Sequence, residues 1–340
     1  MTKMSDVAEH AGVSIKTVSR VVNHEPHVQD SLRKKVQASI DALGYVPSAS
    51  ARSLRARRSY CIHLISHTLN SNFVHTVQFG ALQACQDAGY RMIVSMLDTE
   101  TSDNDKSLAQ WCANLVQESR PDGIILVPPI SDNEKINAAI AALEIPTVRI
   151  GPNTIVDRNS TVMIDDQAAA REMTEHLISL GHKRIGFVRG KEEQGATHKR
   201  FAGYRDALEA AGLPFDPALV QPGLFDFETG LAAGDALLKM DEHPTAVFAA
   251  NDAMAAGVLV AAHRAGIKVP EQLSIVGFDD AEIAQVMWPA LTTVRQPLQE
   301  LGAEAMHLVT TLAGKSNKTS KPITTCLPYE LIERQSTGPA

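Results

Sequence analysis

From Cys61 to Phe278 the sequence alternates short apolar runs with longer segments of helical periodicity. Runs such as CIHLIS and GIILV have the length and composition of strands buried on both faces. The intervening segments span about 12 residues and several end in glycine, as helices do. This alternation predicts parallel sheets covered by helices on both faces, and it occurs in two consecutive sets. We therefore expect an α/β body of two doubly wound subdomains, with a ligand site in the cleft between them.

The stretch 4–23, MSDVAEHAGVSIKTVSRVVN, predicts two short helices joined by a tight turn. Gly12 supplies the turn and Ser14 is suited to cap the second helix. A third helix is expected over 29–43, capped by Asp30 or Ser31 and ended by Gly44. The first two helices carry apolar side chains at helical spacing: Val7, Ala8, Ala11, Val18, Val21 and Val22.

The second helix also has an outward side that combines basic groups with short hydroxyls, a set able to pair with base edges in the major groove of DNA. This side comprises Ile15, Lys16, Thr17, Ser19 and Arg20. The pattern alone is equally compatible with a helical hairpin whose polar side is merely solvated. Charge favours DNA: residues 1–59 carry ten lysines and arginines against five acids, whereas the remainder carries 22 against 34.

Segment 48–59, SASARSLRARRS, is too short and too polar to form a stable helix alone. It is either a flexible basic linker or a hinge that becomes helical only on DNA, with Leu54 as an apolar wedge in the minor groove. The expected organisation is therefore an all-α head over 1–47, this hinge, and an α/β body over 60–334. Within the body we expect a first subdomain of 60–161 plus 292–320 and a second of 162–291 plus 321–334. The tail 335–340 is expected to be frayed.

Several classes of function are disfavoured by the composition. No apolar run has membrane-spanning length and the N-terminus lacks a signal-peptide core, so cytoplasmic residence near the nucleoid is the default expectation. Cys61, Cys85, Cys112 and Cys326 are scattered, which predicts reduced, mostly buried thiols without a metal or disulfide role. No nucleophile, phosphate-loop or zinc-hydrolase motif is found, and His182 is expected to be structural. We expect neither an enzyme nor a bound cofactor.

The head and hinge sequences resemble the LacI/GalR family of bacterial transcription regulators. The likeness extends to body segments across the chain, namely GHKRIGFVRG, RFAGYRDAL, FAANDAMAAGVL, VPEQLSIVGFDD and LTTVRQP. The resemblance implies a helix-turn-helix head, a hinge helix and a body similar to periplasmic sugar-binding proteins. It also implies a homodimer or tetramer that binds a pseudo-palindromic operator under the control of a small effector. A dimer is favoured, because no leucine heptad follows Ile332.

The resemblance also assigns DNA-binding roles by position. Ile15 and Lys16 open the recognition helix, where operator choice is often set, and Leu54 matches the wedging hinge leucine. Other residues match family positions that contact DNA or that neighbour the hinge leucine: Ser14, Thr17, Ser19, Arg20, Asn23, His27, Ser48, Ala51 and Arg52.

For the effector, the resemblance places Arg200, Asn251 and Asp279 at the cleft. Together they could recognise a polyol, with the carboxylate accepting from paired hydroxyls and the guanidinium donating. The alternative for each is a structural role in the cleft wall, such as capping a helix. Weaker candidates at the same cleft are Phe225, which aligns with a ligand-stacking aromatic, and His67, Phe73 and Gln296.

The first subdomain offers few polar groups to such a cleft. Gly151 stands where some sugar-binding members have an aspartate, and Val127-Pro128-Pro129 supplies no side-chain amide. A carbohydrate is the leading effector class, and a purine, a nucleoside or a sugar phosphate is the alternative. A sugar-binding receptor without DNA function is disfavoured by the basic head and by the missing signal peptide.

The expected mechanism begins when the effector binds and changes the angle between the two subdomains. This change disorders the paired hinges on DNA and so makes operator binding unfavourable.

Overall fold

A computed structural model describes residues 2–22, 28–45, 58–67, 72–156, 159–314 and 321–340. The chain forms two compact units, Met1–Tyr60 and Cys61–Ala340. None of the helices in the described ranges has the length and apolar character needed to cross a membrane.

The first unit, the head, contains helices α1 (Met4–His10), α2 (Ile15–Val22) and α3 (Asp30–Leu43). Gly12 adopts φ +57° in the turn, and Ser14 Oγ accepts the Thr17 amide at 3.1 Å, so the predicted turn and cap are confirmed. The predicted cap of α3 is wrong, because the helix begins at Asp30 and its N-cap position is Gln29, which makes no side-chain cap. The core of the head consists of Val7, Ala8, Ala11, Val18, Val21, Val36 and Tyr45.

The second unit, the body, has two lobes. The first lobe holds a six-stranded parallel sheet of order β11-β5-β4-β3-β1-β2. Its strands are β1 (Cys61–Ser66), β2 (Arg91–Met96), β3 (Gly123–Leu126), β4 (Thr147–Ile150), β5 (Ser160–Met163) and β11 (Thr324–Cys326). Its helices are α4 (Asn72–Asp87), α5 (Thr99–Asp103), α6 (Asp105–Ser119), α7 (Glu134–Ala141) and α13 (Leu298–Gly314).

The second lobe holds a four-stranded parallel sheet of order β7-β6-β8-β9, beside an antiparallel pair of β10 and β12. The strands are β6 (Ile185–Val188), β7 (Val220–Gln221), β8 (Ala246–Ala249), β9 (Ser274–Val276), β10 (Thr293–Arg295) and β12 (Glu330–Ile332). The helices are α8 (Asp166–Ser179), α9 (Gly195–Ala210), α10 (Phe227–Leu238), α11 (Asp252–Arg264) and α12 (Glu282–Val286). Each lobe has its own apolar core, so the predicted architecture is confirmed.

The predicted boundaries between the subdomains need correction. The whole of β5 pairs with β4 in the first sheet, and β11 pairs with β5, so both belong to the first lobe. Thr292 and Arg295 instead bridge to the end of β9 in the second lobe. Strand β11 is the edge strand of the first sheet and β5 lies beside it, and both are too short to carry a periodicity that could assign them to either sheet.

The expectation that residues 335–340 are frayed is also wrong. Ser336 is buried, accepts the Ile275 amide at 2.9 Å through its carbonyl and donates its hydroxyl to the Ile275 carbonyl at 2.6 Å. The Ala340 amide donates to the Leu180 carbonyl at 3.0 Å. Backbone hydrogen bonds order this tail, and hydrophobic periodicity does not report such bonds.

His182 lies under this tail and is buried. Its Nδ1 is 2.9 Å from Thr245 Oγ1, and its Nε2 is 2.9 Å from Ser274 Oγ and 3.1 Å from the Gly338 carbonyl. Burial lowers its pKa, which favours the neutral ring. These contacts support the structural role predicted for His182. All four cysteines are free, and three of them are buried while Cys326 is exposed.

Candidate functional site

Helix α2 presents the side chains predicted to read DNA. Ile15 is 54% exposed, an unusual position for a large apolar side chain, and an apolar side chain at this place suits contact with a thymine methyl group. Lys16 and Arg20 are exposed as well. Ser14 Oγ and Thr17 Oγ1 lie 2.9 Å apart at the N-terminal end of the helix. The outward side of α2 therefore offers one apolar and two cationic groups.

Ser19 departs from the prediction. Its side chain is only 3% exposed, so its expected outward position is wrong. Successive residues of a helix are rotated by about 100° around its axis, which places Ser19 next to Val22 at the edge of the buried side of α2. The packing of three helices against one another buries a side of α2 wide enough to include Ser19. Its proposed contact with DNA remains a prediction. The other predicted contacts, Asn23, His27, Ser48, Ala51, Arg52 and Leu54, lie outside the described residues.

In the body, Arg200 on α9 is surrounded by groups from three other segments. Its Nε and Nη2 both donate to Asp166 Oδ1 at 2.9 Å, and its Nη1 donates to the Ala250 carbonyl at 2.6 Å. The guanidinium lies 3.6 Å above the ring centre of Phe278, and Nη1 is 3.7 Å from Asp279 Oδ1. The side chain is 5% exposed. Arg200 is thus held in place by groups of the second lobe itself.

Asp279 follows β9 and completes this cluster. Gln296 Nε2 donates to its Oδ1 at 2.6 Å, so the two predicted residues do meet. Burial raises the pKa of Asp279 to about 6, although Arg200 and Gln296 act in the opposite direction. Its backbone has φ +118°, a region that side-chain-bearing residues rarely adopt, and Asp280 follows with φ +54°. Two unfavourable features, strain and desolvation of a carboxylate, therefore fall on one residue at the cleft.

The strained loop is held by groups that sequence reasoning missed. Asp252 donates its amide to the Phe278 carbonyl at 3.0 Å and accepts the Ala281 amide at 2.7 Å, so it clamps both sides of Asp279. Burial, followed by the charge of Asp279, raises the pKa of Asp252 well above its usual value. Asp280 accepts from Arg295 at 2.7 Å and from Arg334 at 2.6 Å. The available signal was the acid that directly follows each predicted residue: Asp252 after Asn251 in AAND, and Asp280 after Asp279 in GFDD.

Asn251 and Phe225 are bound to each other. Asn251 Oδ1 accepts the Met254 amide at 3.0 Å and caps α11, while its Nδ2 donates to the Phe225 carbonyl at 3.0 Å. The ring of Phe225 covers Gly190 so closely that a β-carbon there would lie 1.9 Å from it. These contacts match the alternative to effector binding given for Asn251, a structural role in which the side chain caps a helix. Effector contact by either residue remains a prediction.

The first lobe contributes less polarity. His67 Nδ1 donates to the Leu97 carbonyl at 3.0 Å, and Phe73 packs against the first-lobe core. Beyond the ends of β3 and β4 lie Pro128, Pro129 and Gly151, whose side chains carry no polar group. The effector roles of His67 and Phe73 stay predictions. Within the described ranges, the polar groups that contact Arg200 and Asp279 belong to the second lobe.

Two family models match the chain: bacterial regulatory proteins of the lacI family over residues 3–48, and a periplasmic binding protein-like domain over 174–337. The chain is 34% identical over 342 residues to the HTH-type transcriptional regulator DegA of Bacillus subtilis, covering 99% of this chain and 98% of DegA. The chain belongs to the LacI family.

Solved structures agree with this LacI-family assignment. The lac repressor dimer bound to operator and the anti-inducer ONPF superimposes with a TM-score of 0.82 at 27% identity, over 99% of both chains. The complex of the transcriptional regulator CelR with cellobiose matches with a TM-score of 0.74 at 29% identity, over 99% of this chain and all of CelR. The chain is accordingly a DNA-binding transcription regulator and not an enzyme.

Proposed function

We propose that this LacI-family regulator represses transcription as a homodimer on operator DNA, and that a small neutral carbohydrate between its lobes controls that binding. The observation that carries the proposal is Asp279, a strained and desolvated carboxylate kept at the cleft. Such features persist where a functional requirement retains them. Action at the nucleoid, in the cytoplasm, follows from the need to reach chromosomal operators.

Charge supports a neutral effector. Among the described residues, the cation that pairs with Asp166 and Asp279 is Arg200, which already donates to Asp166 and to the Ala250 carbonyl. A phosphate would meet this excess of negative charge, whereas paired hydroxyls could donate to the carboxylate of Asp279. The structure of CelR with cellobiose provides a carbohydrate precedent in a similar fold. A purine or nucleoside has N–H donors for the same carboxylate and remains the alternative.

Thermal unfolding against a panel of mono- and disaccharides, sugar phosphates, purines and nucleosides tests this effector class. A compound at 100 times its Kd should stabilise the protein by roughly 2.7 kcal/mol. A response to neutral sugars alone would support the proposal. A response confined to sugar phosphates would contradict the charge argument, and one confined to purines or nucleosides would select the alternative.

Two apolar surfaces support the homodimer. On the first lobe, edge strand β2 exposes Ile93, Val94 and Met96, and neighbouring α4 exposes Phe79 and Leu82. The second lobe exposes Val286 and Trp288, the latter at 80%. An apolar edge strand promotes aggregation unless it is covered, and a second copy would cover it. Light scattering should therefore give twice the chain mass of 36.7 kDa.

Replacement of Lys16 by alanine is expected to change which bases the protein prefers. A lysine at the start of a recognition helix can donate to guanine O6 and N7, and the loss of such a contact relaxes specificity by about 1–3 kcal/mol at one position. Selection from random DNA, compared with wild type, measures this change. A uniform loss of affinity with unchanged preference would instead make Lys16 a phosphate contact.

Replacement of Leu54 by glycine tests the proposed hinge. If Leu54 wedges into the minor groove, operator affinity should fall by about tenfold or more, because the loss of apolar contact and the added chain entropy both oppose binding. Effector binding should be unchanged, since it involves the body alone. Unchanged operator affinity in this variant would contradict the hinge and favour the flexible linker.

A further inference from the structure

The two lobes of the body meet at the N-terminus of α9, the helix that carries Arg200. The carboxylate of Asp132, in the turn before α7, accepts two amides. Its Oδ1 accepts from Asn153 of the first lobe at 2.5 Å, and its Oδ2 accepts from Gly195 of the second lobe at 2.8 Å. Gly195 is the first residue of α9, and the N-cap residue Gln194 makes no side-chain cap. The first lobe thus supplies an anion where the helix has free amides and a positive dipole end.

The backbones also approach closely at this point. A β-carbon at Gly195 would lie 2.5 Å from Asn153 Cβ and 2.6 Å from its Cα. One helical turn later, Lys199 Nζ donates to the Pro152 carbonyl of the first lobe at 2.8 Å. Because ordinary carbon–carbon contacts are about 3.5–4.0 Å, only glycine permits this approach.

The first-lobe side of the contact is built rigidly. Arg149, buried in β4, donates from Nε to the Ser131 carbonyl at 2.7 Å and from Nη1 to the Thr154 carbonyl at 3.1 Å. These carbonyls adjoin Asp132 and Asn153 in the chain. Arg149 therefore fixes the carboxylate and the amide that meet α9.

We propose that Asp132, Asn153 and Gly195 form an inter-lobe latch that holds the two lobes at the angle they have in this structure. An effector or operator that favours another lobe angle must break these contacts. Because α9 and the partners of Arg200 belong to the second lobe, a movement of the N-terminus of α9 away from the first lobe carries the whole cleft cluster away from the first lobe. The latch thereby couples the lobe angle to the cleft cluster, whatever the chemistry of the effector.

Amide hydrogen exchange of the ligand-free, full-length protein tests the latch. In Gly195→Ala, exchange at the amide of residue 195, which donates across the lobes to Asp132, should be about tenfold faster, within the range typical of coupling between sites. Alanine suits a helix, so the second lobe alone should tolerate it. In Asp132→Ala, exchange should accelerate at both Asn153 and Gly195. Gly314→Ala is the matched control, because a β-carbon there meets nothing within 4 Å.

Three outcomes would overturn the proposal. Unchanged exchange at the amide of residue 195 in Gly195→Ala would show that the lobes are not in contact at this point. Acceleration at only one of the two amides in Asp132→Ala would show that the carboxylate does not bridge them. An equal acceleration in Gly314→Ala would show a general loss of stability.

Discussion

Replacing Arg200 by methionine is expected to lower the free energy of unfolding of the body by about 3–5 kcal/mol at neutral pH. Methionine approximates the length and apolar bulk of the arginine stem but leaves Asp166 and Asp279 buried without a counter-charge. It also removes the donor to the Ala250 carbonyl, which lies in the second-lobe interior. The loss therefore arises from uncompensated polar groups, more than from packing.

The pH dependence distinguishes this explanation from simple misfit. Carboxylates that lose their cation can become neutral by binding protons, so the deficit of Arg200→Met relative to wild type should be smaller at pH 5 than at pH 8. Urea denaturation at both pH values measures it. Arg200→Lys is the control, since it keeps the charge and loses only the planar guanidinium. A deficit that is equal at both pH values would assign the effect to packing on Phe278.

The strands that the sequence predicts best are those buried on both faces. The run CIHLIS predicts the strand Cys61–Ser66 to the residue, because a largely apolar run between polar segments leaves little freedom of placement. Helix α5 was missed. It is five polar residues held by a cap in which Asp98 accepts the Thr101 amide at 2.6 Å. A helix held by a local side-chain cap, or a strand paired at the edge of a sheet, needs no regular spacing of apolar residues. The hydrophobic pattern of the sequence therefore does not predict such elements.

The candidate site was predicted in part for a topological reason. The carboxyl ends of parallel strands meet at one edge of a sheet, so Asn251 and Asp279 had to lie near each other. The residues that hold them are fixed by contacts distant in sequence: Arg334 reaches Asp280 across 54 positions, and Asp166 reaches Arg200 across 34. Such pairs involve loops of irregular conformation, whose geometry depends on packing that a single sequence does not report.

Replacing Asp279 by asparagine is expected to stabilise the ligand-free protein at pH 7 and to abolish most of its effector response. The pKa of Asp279 is raised from 3.8 to about 6, so the folded state binds this proton more tightly than the unfolded state. Wild-type stability should therefore fall as pH rises from about 4 to 6 through this group. The neutral amide removes that slope and should add about 1–3 kcal/mol at pH 7. Effector affinity should decrease about 10- to 100-fold, because a charged hydrogen-bond acceptor is lost.

Asp280→Asn provides the matched control, one residue away in the same strained loop. Asp280 is held by two arginines, so the removal of its charge should destabilise the protein, opposite in sign to Asp279→Asn. Denaturation from pH 4 to 8 and ligand-induced thermal shifts measure both variants. If Asp279→Asn were less stable than wild type with an unaltered pH slope, Asp279 would be a structural residue like its neighbour. If the two variants differ in sign, the chain retains at the cleft a carboxylate that weakens its own fold, and ligand recognition is the property that the carboxylate supplies in return.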